Sequence, residues 1–165
     1  MRKFGMKRAV LGAAIAAMAM SAPAAHAATA TGTAKAKILR QITLTNTSDL
    51  EFATIISGAT ASTVAVSTAG GRSCGTGLTC TGTATAANFN VEGTNGAVVV
   101  ITGDSSVTLN GSVSGSMTAA LAYSAATVTL GATGGSFQVG GVLSVGSNQA
   151  SGDYVGTFTV NANYQ

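Results

Sequence analysis

Two cysteines are the residues of this chain best suited to covalent chemistry. Cys74 and Cys80 are separated by five residues in a run rich in glycine and threonine. This spacing differs from the C-x-x-C of redox motifs, and the chain has no further cysteine to complete a metal site. It suits a disulfide that closes a small loop in an oxidising compartment. The sequence therefore predicts a structural disulfide between Cys74 and Cys80.

Carboxylates are the second set of side chains that can do chemistry. Carbohydrate hydrolysis requires a pair of them, one as acid and one as base or nucleophile. Asp49 and Glu51 are close enough in sequence to share a strand face, whereas Glu92, Asp104 and Asp153 are scattered. Their neighbours are mostly those of carboxylates that cap turns, and no EF-hand spacing is present. We therefore expect no enzymatic activity, no cofactor and no metal site.

Residues 1–27 have the features of a secretory signal peptide. A basic start is followed by 12 small apolar residues and by a small-x-small cleavage site at residues 25–27. This apolar stretch is too short to span a bilayer as a helix. The sequence therefore predicts export to the periplasm and then to the cell surface, a fimbrium or the medium. It also predicts no integral membrane span after cleavage.

Removal of this segment changes what the chain can bind. The only histidine and the only proline precede the cleavage site. Residues 28–165 contain four basic and five acidic residues, a net charge of −1. Without an imidazole, general-base catalysis near neutral pH loses its commonest group. Without an excess of positive charge, nucleic-acid binding has no electrostatic support, and we expect no nucleic-acid partner.

Apolar residues in the exported part recur with a period of two, the period of β-strands. In the first such segment the small or apolar positions are Ala28, Ala30, Gly32, Ala34, Ala36 and Ile38. The alternation resumes at Ile42 and Leu44, and turn-forming clusters separate the later segments. Short strands are predicted at residues 63–67, 87–92, 98–102, 107–110, 117–123, 127–130, 137–139 and 142–145. The sequence thus predicts an all-β antiparallel sandwich over residues 41–165, after an N-terminal extension over residues 28–40.

The carboxyl-terminal stretch also alternates and predicts one long strand with one buried face. Its inward positions, together with the last residue, are Gly152, Tyr154, Gly156, Phe158, Val160, Ala162, Tyr164 and Gln165. This end resembles that of fimbrial subunits of the chaperone–usher route. Such subunits carry a penultimate aromatic residue and a glycine fourteenth from the end, and here these are Tyr164 and Gly152.

The exported part as a whole resembles a family of secreted bacterial proteins catalogued as domain of unknown function 4402. The matching segments are Ile42-Thr43-Leu44-Thr45-Asn46 with Leu50-Glu51-Phe52, Phe89-Asn90-Val91-Glu92-Gly93, and Gly141-Val142-Leu143-Ser144-Val145 with the Gly-x-Tyr-x-Gly-Thr-Phe end. These are strand and turn patterns. The resemblance implies a pilin-like fold and carries no established activity.

The resemblance to fimbrial subunits implies an immunoglobulin-like sandwich that lacks its last strand. A periplasmic chaperone fills the gap first, and the extension of the next subunit replaces it at an outer-membrane usher. Here residues 28–38 would be the donor strand, and the strand from Tyr154 to Tyr164 would form one wall of the acceptor groove. Basic chaperone side chains would hold the carboxylate of Gln165. The implied function is that of a structural or adhesive surface subunit.

Two departures from common pilins keep other interpretations open. The donor positions carry mainly alanine and glycine, and the cysteine pair closes a local loop. A self-contained secreted sandwich that binds an unknown ligand is therefore an alternative, with residues 28–44 as its own edge strand. A small outer-membrane β-barrel is another, because such barrels also alternate and end near an aromatic residue.

Overall fold

The computed structural model describes residues 27–165, and all the regular elements within them are β-strands. The prediction of an all-β protein is confirmed. The predicted signal peptide lies outside the described residues, except for Ala27. The strands are β1 (Thr43–Ser48), β2 (Thr54–Ile56), β3 (Ser62–Val66), β4 (Arg72–Cys74), β5 (Thr79–Thr81), β6 (Ala87–Glu92), β7 (Val98–Gly103), β8 (Ser106–Gly111), β9 (Ser116–Tyr123), β10 (Thr127–Thr129), β11 (Gly135–Val145), β12 (Tyr154–Val155) and β13 (Val160–Tyr164).

Eight strands form the larger antiparallel sheet. Its order is β1-β6-β11-β9-β8-β12, and β3 joins it beside β11 with β4 attached to β3. The long strand β11 connects these parts, because β6 and then β3 pair along one of its edges while β9 pairs along the other. Side chains of β6 alternate between buried and less buried positions, as expected for a strand with one face on the core.

A three-stranded antiparallel sheet, β10-β7-β13, faces part of the larger sheet across an apolar core. This core contains Phe89 and Phe137 of the larger sheet and Val99 and Ile101 of the smaller one. The two rings stack with centroids 5.3 Å apart, and Phe158 meets Phe89 edge-on at 6.3 Å. A second apolar cluster extends the core towards the two-stranded sheet β2-β5. The arrangement is the sandwich-like one that the sequence predicts.

The strands predicted at residues 137–139 and 142–145 are one continuous strand, β11. Gly140 and Gly141, which suggest a turn in the sequence, lie within it. A Cβ at Gly140 would come within 2.5 Å of the carbonyl oxygen of Val66, and one at Gly141 within 3.1 Å of the Leu50 side chain. These glycines therefore allow neighbouring chain segments to approach closely, and no turn is made.

The predicted disulfide between Cys74 and Cys80 is present. Cys74 ends β4 of the larger sheet, and Cys80 lies in β5 of the two-stranded sheet. The bond therefore links the two-stranded sheet to an edge of the larger one. Arg72 supports the same junction, because its guanidinium donates to the carbonyl oxygens of Phe52 and Thr81.

Removal of the disulfide should destabilise the fold without abolishing it. The bond joins residues with a sequence separation of 6, and closing so short a loop stabilises by about 2.4 kcal/mol in the chain-entropy account. The double variant Cys74→Ser with Cys80→Ser should lose about that free energy of unfolding in urea. Reduced wild-type protein is the control and should unfold with the variant. Equal midpoints for oxidised wild type and the variant would contradict the prediction.

Candidate strand-acceptor edge

The carboxyl-terminal residues form two strands, and the prediction of a single long strand is wrong. β12 pairs with β8 in the larger sheet and β13 with β7 in the smaller one, so the chain passes from one sheet to the other. Gly156 permits this passage, because a Cβ there would collide with the carbonyl oxygen of Thr108. Phe158, between the two strands, packs on Phe89. The period of two continues through the break, which is why the sequence does not reveal it.

Two other residues of that predicted strand, Tyr154 and Gly152, hold β12 on the larger sheet. Tyr154 Oη accepts a hydrogen bond from Gln149 Nε2 at 2.7 Å and donates to the carbonyl oxygen of Ala150 at 2.7 Å. Gly152 has a φ of 149°, a conformation that residues with a side chain rarely adopt. Both residues therefore have a structural role in the sheet that faces β13.

Asp104 fixes the chain where β13 begins. Its Oδ2 accepts a hydrogen bond from the N–H of Thr159 at 2.7 Å, and its own N–H donates to the carbonyl oxygen of Thr159 at 3.0 Å. The hydroxyl of Tyr123 donates to the carbonyl oxygen of Asp104 at 2.8 Å. Burial raises the pKa of Tyr123, and the nearby carboxylate of Asp104 raises it further.

The raised pKa of Tyr123 predicts a loss of stability in alkaline solution. The folded protein favours the neutral phenol, so this contribution is fully present below the ordinary pKa of 10.0 and is lost as the pH rises through the higher folded value. The free energy of unfolding should fall more steeply with pH in wild type than in Tyr123→Phe between about pH 9.5 and pH 11. Urea titrations at several pH values measure both slopes. Parallel slopes would count against the prediction.

The outer edge of β13 carries no strand partner within residues 27–165, since β13 is the last strand of the smaller sheet. At its end the N–H of Gln165 donates to the carbonyl oxygen of Val98 at 3.0 Å. Successive residues of an antiparallel ladder turn their N–H and C=O groups to opposite sides. The residues whose groups point away from β7 are therefore Val160, Ala162 and Tyr164, and we call this row the β13 edge.

Apolar side chains line the β13 edge. Those of Val160, Ala162 and Tyr164 are half-buried and pack on the same core cluster as Ile42 and Leu44, which are also half-buried. Leu44 belongs to β1, which ends the larger sheet and pairs only with β6 in the described part of the chain. Within residues 27–165, each of these two sheets thus ends in an unpaired strand beside half-buried apolar side chains of the core. Such an edge can accept a further strand.

The hydroxyl of Tyr164 connects the carboxyl end of β13 to the start of the domain. It accepts a hydrogen bond from the N–H of Thr94 at 2.8 Å and donates to the carbonyl oxygen of Arg40 at 2.6 Å. The N–H of Arg40 donates to Thr94 Oγ1 at 2.7 Å. Gly93 leaves room for the ring, because a Cβ there would lie 2.5 Å from the hydroxyl oxygen. The sequence pattern does not reveal this cluster, because its signal is only a glycine and a threonine in a predicted turn.

The predicted donor segment is exposed to solvent. Residues 27–38 are exposed and carry no strand. Ile38 keeps 92% of its surface accessible, the highest value among the exposed large apolar side chains of the described residues. The chain is first fixed by hydrogen bonds at Arg40. Whether residues 28–38 act as a donor stays a prediction.

The carboxylates considered for hydrolysis have structural surroundings. Asp49 Oδ1 accepts a hydrogen bond from Asn46 Nδ2 at 2.7 Å, and Glu51 forms an isolated bridge with Thr85. Among residues 27–165, no group of three or more His, Cys, Asp and Glu is placed to hold a metal ion. The same part of the chain contains no helix of the length and apolarity needed to cross a membrane.

The sequence of the domain matches the model of a protein family over residues 42–164. This range contains all the strands from β1 to β13 and ends at Tyr164. No curated protein matches the chain, and no solved structure matches it. Because the match covers most of its length, the chain belongs to the family described as Domain of unknown function (DUF4402).

Proposed function

We propose that this protein is a structural or adhesive subunit of the cell surface, assembled when the N-terminal extension of one subunit adds a strand to another. The β13 edge carries the proposal, because it combines unpaired main-chain groups with half-buried apolar side chains. Main-chain hydrogen bonds to such an edge bind an extended peptide, and alternate side chains of the peptide cover the apolar row.

The composition of the extension suits this edge. Residues 28–38 contain no proline, so every N–H group is available for pairing. The apolar side chains of the β13 edge are already half-buried, which leaves shallow room that alanine and glycine can occupy. Threonine and lysine on the opposite face of the added strand would stay in water. Ile38 would contribute the one large apolar side chain, which is now exposed.

In this proposal the fold is an immunoglobulin-like sandwich with one strand absent, and the vacancy lies along the β13 edge. The predicted signal peptide and the Cys74–Cys80 disulfide agree with assembly outside the cytoplasm. A periplasmic chaperone would occupy the β13 edge before assembly. An outer-membrane usher would then exchange it for the extension of a neighbouring subunit.

A pair of proline variants tests the proposal. In an added antiparallel strand, the even residues of the extension turn their N–H groups to β13, so Ala34→Pro removes a ladder donor and Thr33→Pro removes one on the far side. Both residues are exposed, and neither change should alter the free energy of unfolding. We expect Ala34→Pro to weaken assembly about tenfold and Thr33→Pro clearly less.

The measurement is the amount of boiling-sensitive multimer in unheated extracts of the native host, which supplies any chaperone and usher. The full-length chain is expressed in each case. Equal amounts of multimer in wild type and both proline variants would exclude main-chain pairing by this segment. Loss of multimer in both variants to the same extent would point to another use of the extension.

A further inference from the structure

We propose that a cleft in the outer face of the larger sheet binds a neutral carbohydrate, which would give the surface subunit proposed above an adhesive role. The outer face is the one turned away from the core. The cleft has a volume of about 530 Å³, within the range of sites that bind small molecules. Alanine, glycine, serine, threonine, asparagine and glutamine line it, so no charged side chain lines the cleft within the described residues.

A fork in the larger sheet forms this cleft. β6 and β3 pair with the same edge of β11, β6 as far as Val139 and β3 from Gly141 onwards. The chain that follows β3 and the chain that precedes β6 therefore separate beside Gly140. Residues 68–70, in the turn between β3 and β4, form one wall of the opening, and residues 84–86 form the other. We call this opening the fork cleft, and strand pairing fixes its position.

A row of polar side chains forms the floor of the fork cleft. Ser48 of β1, Asn88 of β6 and Gln138 of β11 lie opposite one another in the register of the three strands. Asn88 and Gln138 alternate with buried residues of their strands, so their side chains lie on the outer face. Asn88 Nδ2 donates to Ser48 Oγ at 2.7 Å and to the carbonyl oxygen of Ala86 at 3.2 Å. These bonds fix the orientation of the Asn88 amide.

The two amides of the floor keep hydrogen-bonding capacity for a ligand. Within residues 27–165, Asn88 Oδ1 and the side-chain amide of Gln138 form no hydrogen bond, and both side chains are half-buried. An amide oxygen accepts and an amide nitrogen donates, and a sugar hydroxyl can do both. Opposite residues of an antiparallel pair have Cβ atoms about 5 Å apart, which lets the two amides bind neighbouring hydroxyls of one sugar ring.

Charge near the fork cleft favours a neutral ligand over an anionic one. Thr85 Oγ1 donates to the carbonyl oxygen of Asp49 at 3.1 Å, and the N–H of Glu51 donates to the carbonyl oxygen of Thr85 at 2.9 Å. Asp49 and Glu51 are exposed and therefore place two acidic residues beside one wall. With these acids nearby and no base in the lining, an acidic sugar would be repelled.

The position of the fork cleft argues against a peptide as its ligand. On both sides of the fork the main chains of β6 and β3 already pair with β11, so an extended peptide cannot add there as a further strand. The cleft also lies on the opposite face of the larger sheet from the core that β13 covers. A carbohydrate bound in the cleft therefore leaves the β13 edge free, and the two sites can be tested separately.

Saturation-transfer difference NMR on the purified protein tests the site, because it detects weak binding on the signals of the free sugar and works with multimers. The probes are neutral trisaccharides of glucose, galactose, mannose and N-acetylglucosamine, with sialyllactose as the anionic probe. We expect at least one neutral probe to bind with a Kd of about 1 mM, as suits a site with a few hydrogen bonds. No signal from any neutral probe, or tighter binding of sialyllactose, would overturn the proposal.

Gln138→Ala and Asn90→Ala are matched variants for the same measurement. Each removes an amide from the outer face of neighbouring strands, but only Gln138 lines the fork cleft. We expect Gln138→Ala to weaken binding about five- to tenfold and Asn90→Ala to leave it unchanged. Equal affinities of the two variants would refute the site. Multimers should form equally in both variants, and a protein that binds the sugar through Gln138 without forming multimers would contradict only the proposed strand addition.

Discussion

A chain that lacks residues 28–38 is expected to fold normally and to form no multimers. All the deleted residues are exposed and carry no strand, so the free energy of unfolding should change by less than about 0.5 kcal/mol. The hydrogen bonds of Arg40 to Thr94 and Tyr164 are retained, which keeps the start of the domain fixed. Loss of the donor nevertheless removes every main-chain bond of the added strand. Gel filtration and unheated gel electrophoresis measure the outcome.

The truncated chain should still present its β13 edge to an added peptide. A synthetic peptide of residues 28–40 is expected to bind it, and the same peptide with Ala34→Pro is the matched control because its composition is otherwise identical. Calorimetry of both peptides on the truncated protein separates loss of the donor from loss of the acceptor. Multimers that persist after the deletion would contradict the proposed function, and so would equal binding of the two peptides.

Much of the fold can be predicted from the period of two. The predicted segment at residues 87–92 coincides with β6, and those at 98–102 and 117–123 differ from β7 and β9 by one residue at an end. These strands have one face on the core, so their apolar residues alternate and their ends are clear. β2, β4 and β5 were not predicted, because each has only three residues and shows too little alternation.

Tertiary contacts decide the features that the sequence does not reveal. Gly140 and Gly141 have the composition of a turn, and only the nearness of Val66 and Leu50 explains why they lie inside a strand. The break after β12 is equally hidden, because Gly156 keeps the alternation while its contact with Thr108 redirects the chain. Both features depend on segments far away in sequence.

The candidate site was predicted in part. The sequence identified the alternating residues of the β13 edge and the extension that would pair with it, since both follow the period of two. It did not identify the hydroxyl of Tyr164 as the link between Arg40 and Thr94, because the three residues come from distant parts of the chain. Nor did it identify Asp104 as the carboxylate at the start of β13, since that role depends on the pairing with Thr159.

Replacement of Tyr164 is expected to have the largest effect of any single change at the β13 edge. Tyr164→Ala removes a half-buried ring from the core and the hydrogen bonds of its hydroxyl to Thr94 and Arg40, and should lower the free energy of unfolding by about 3 kcal/mol. Tyr164→Phe keeps the ring and removes only the hydroxyl, so it should cost about 1–2 kcal/mol. Urea unfolding of the full-length variants measures both values. A cost below about 0.5 kcal/mol for Tyr164→Ala would contradict the packing of its ring on the core.

The matched control is Tyr154→Phe, which also removes a tyrosine hydroxyl that accepts one hydrogen bond and donates to main-chain carbonyl oxygens, but in the larger sheet. The two phenylalanine variants should therefore lose similar stability. Only Tyr164→Phe should speed the hydrogen exchange of the Arg40 amide, because that amide is bound to Thr94 beside the lost hydroxyl. Only Tyr164→Phe should also weaken assembly, because it removes the hydrogen bond to Arg40, the residue from which the extension departs. Equal exchange at Arg40 in the two variants would mean that Tyr164 acts on the domain alone and has no part in fixing the extension.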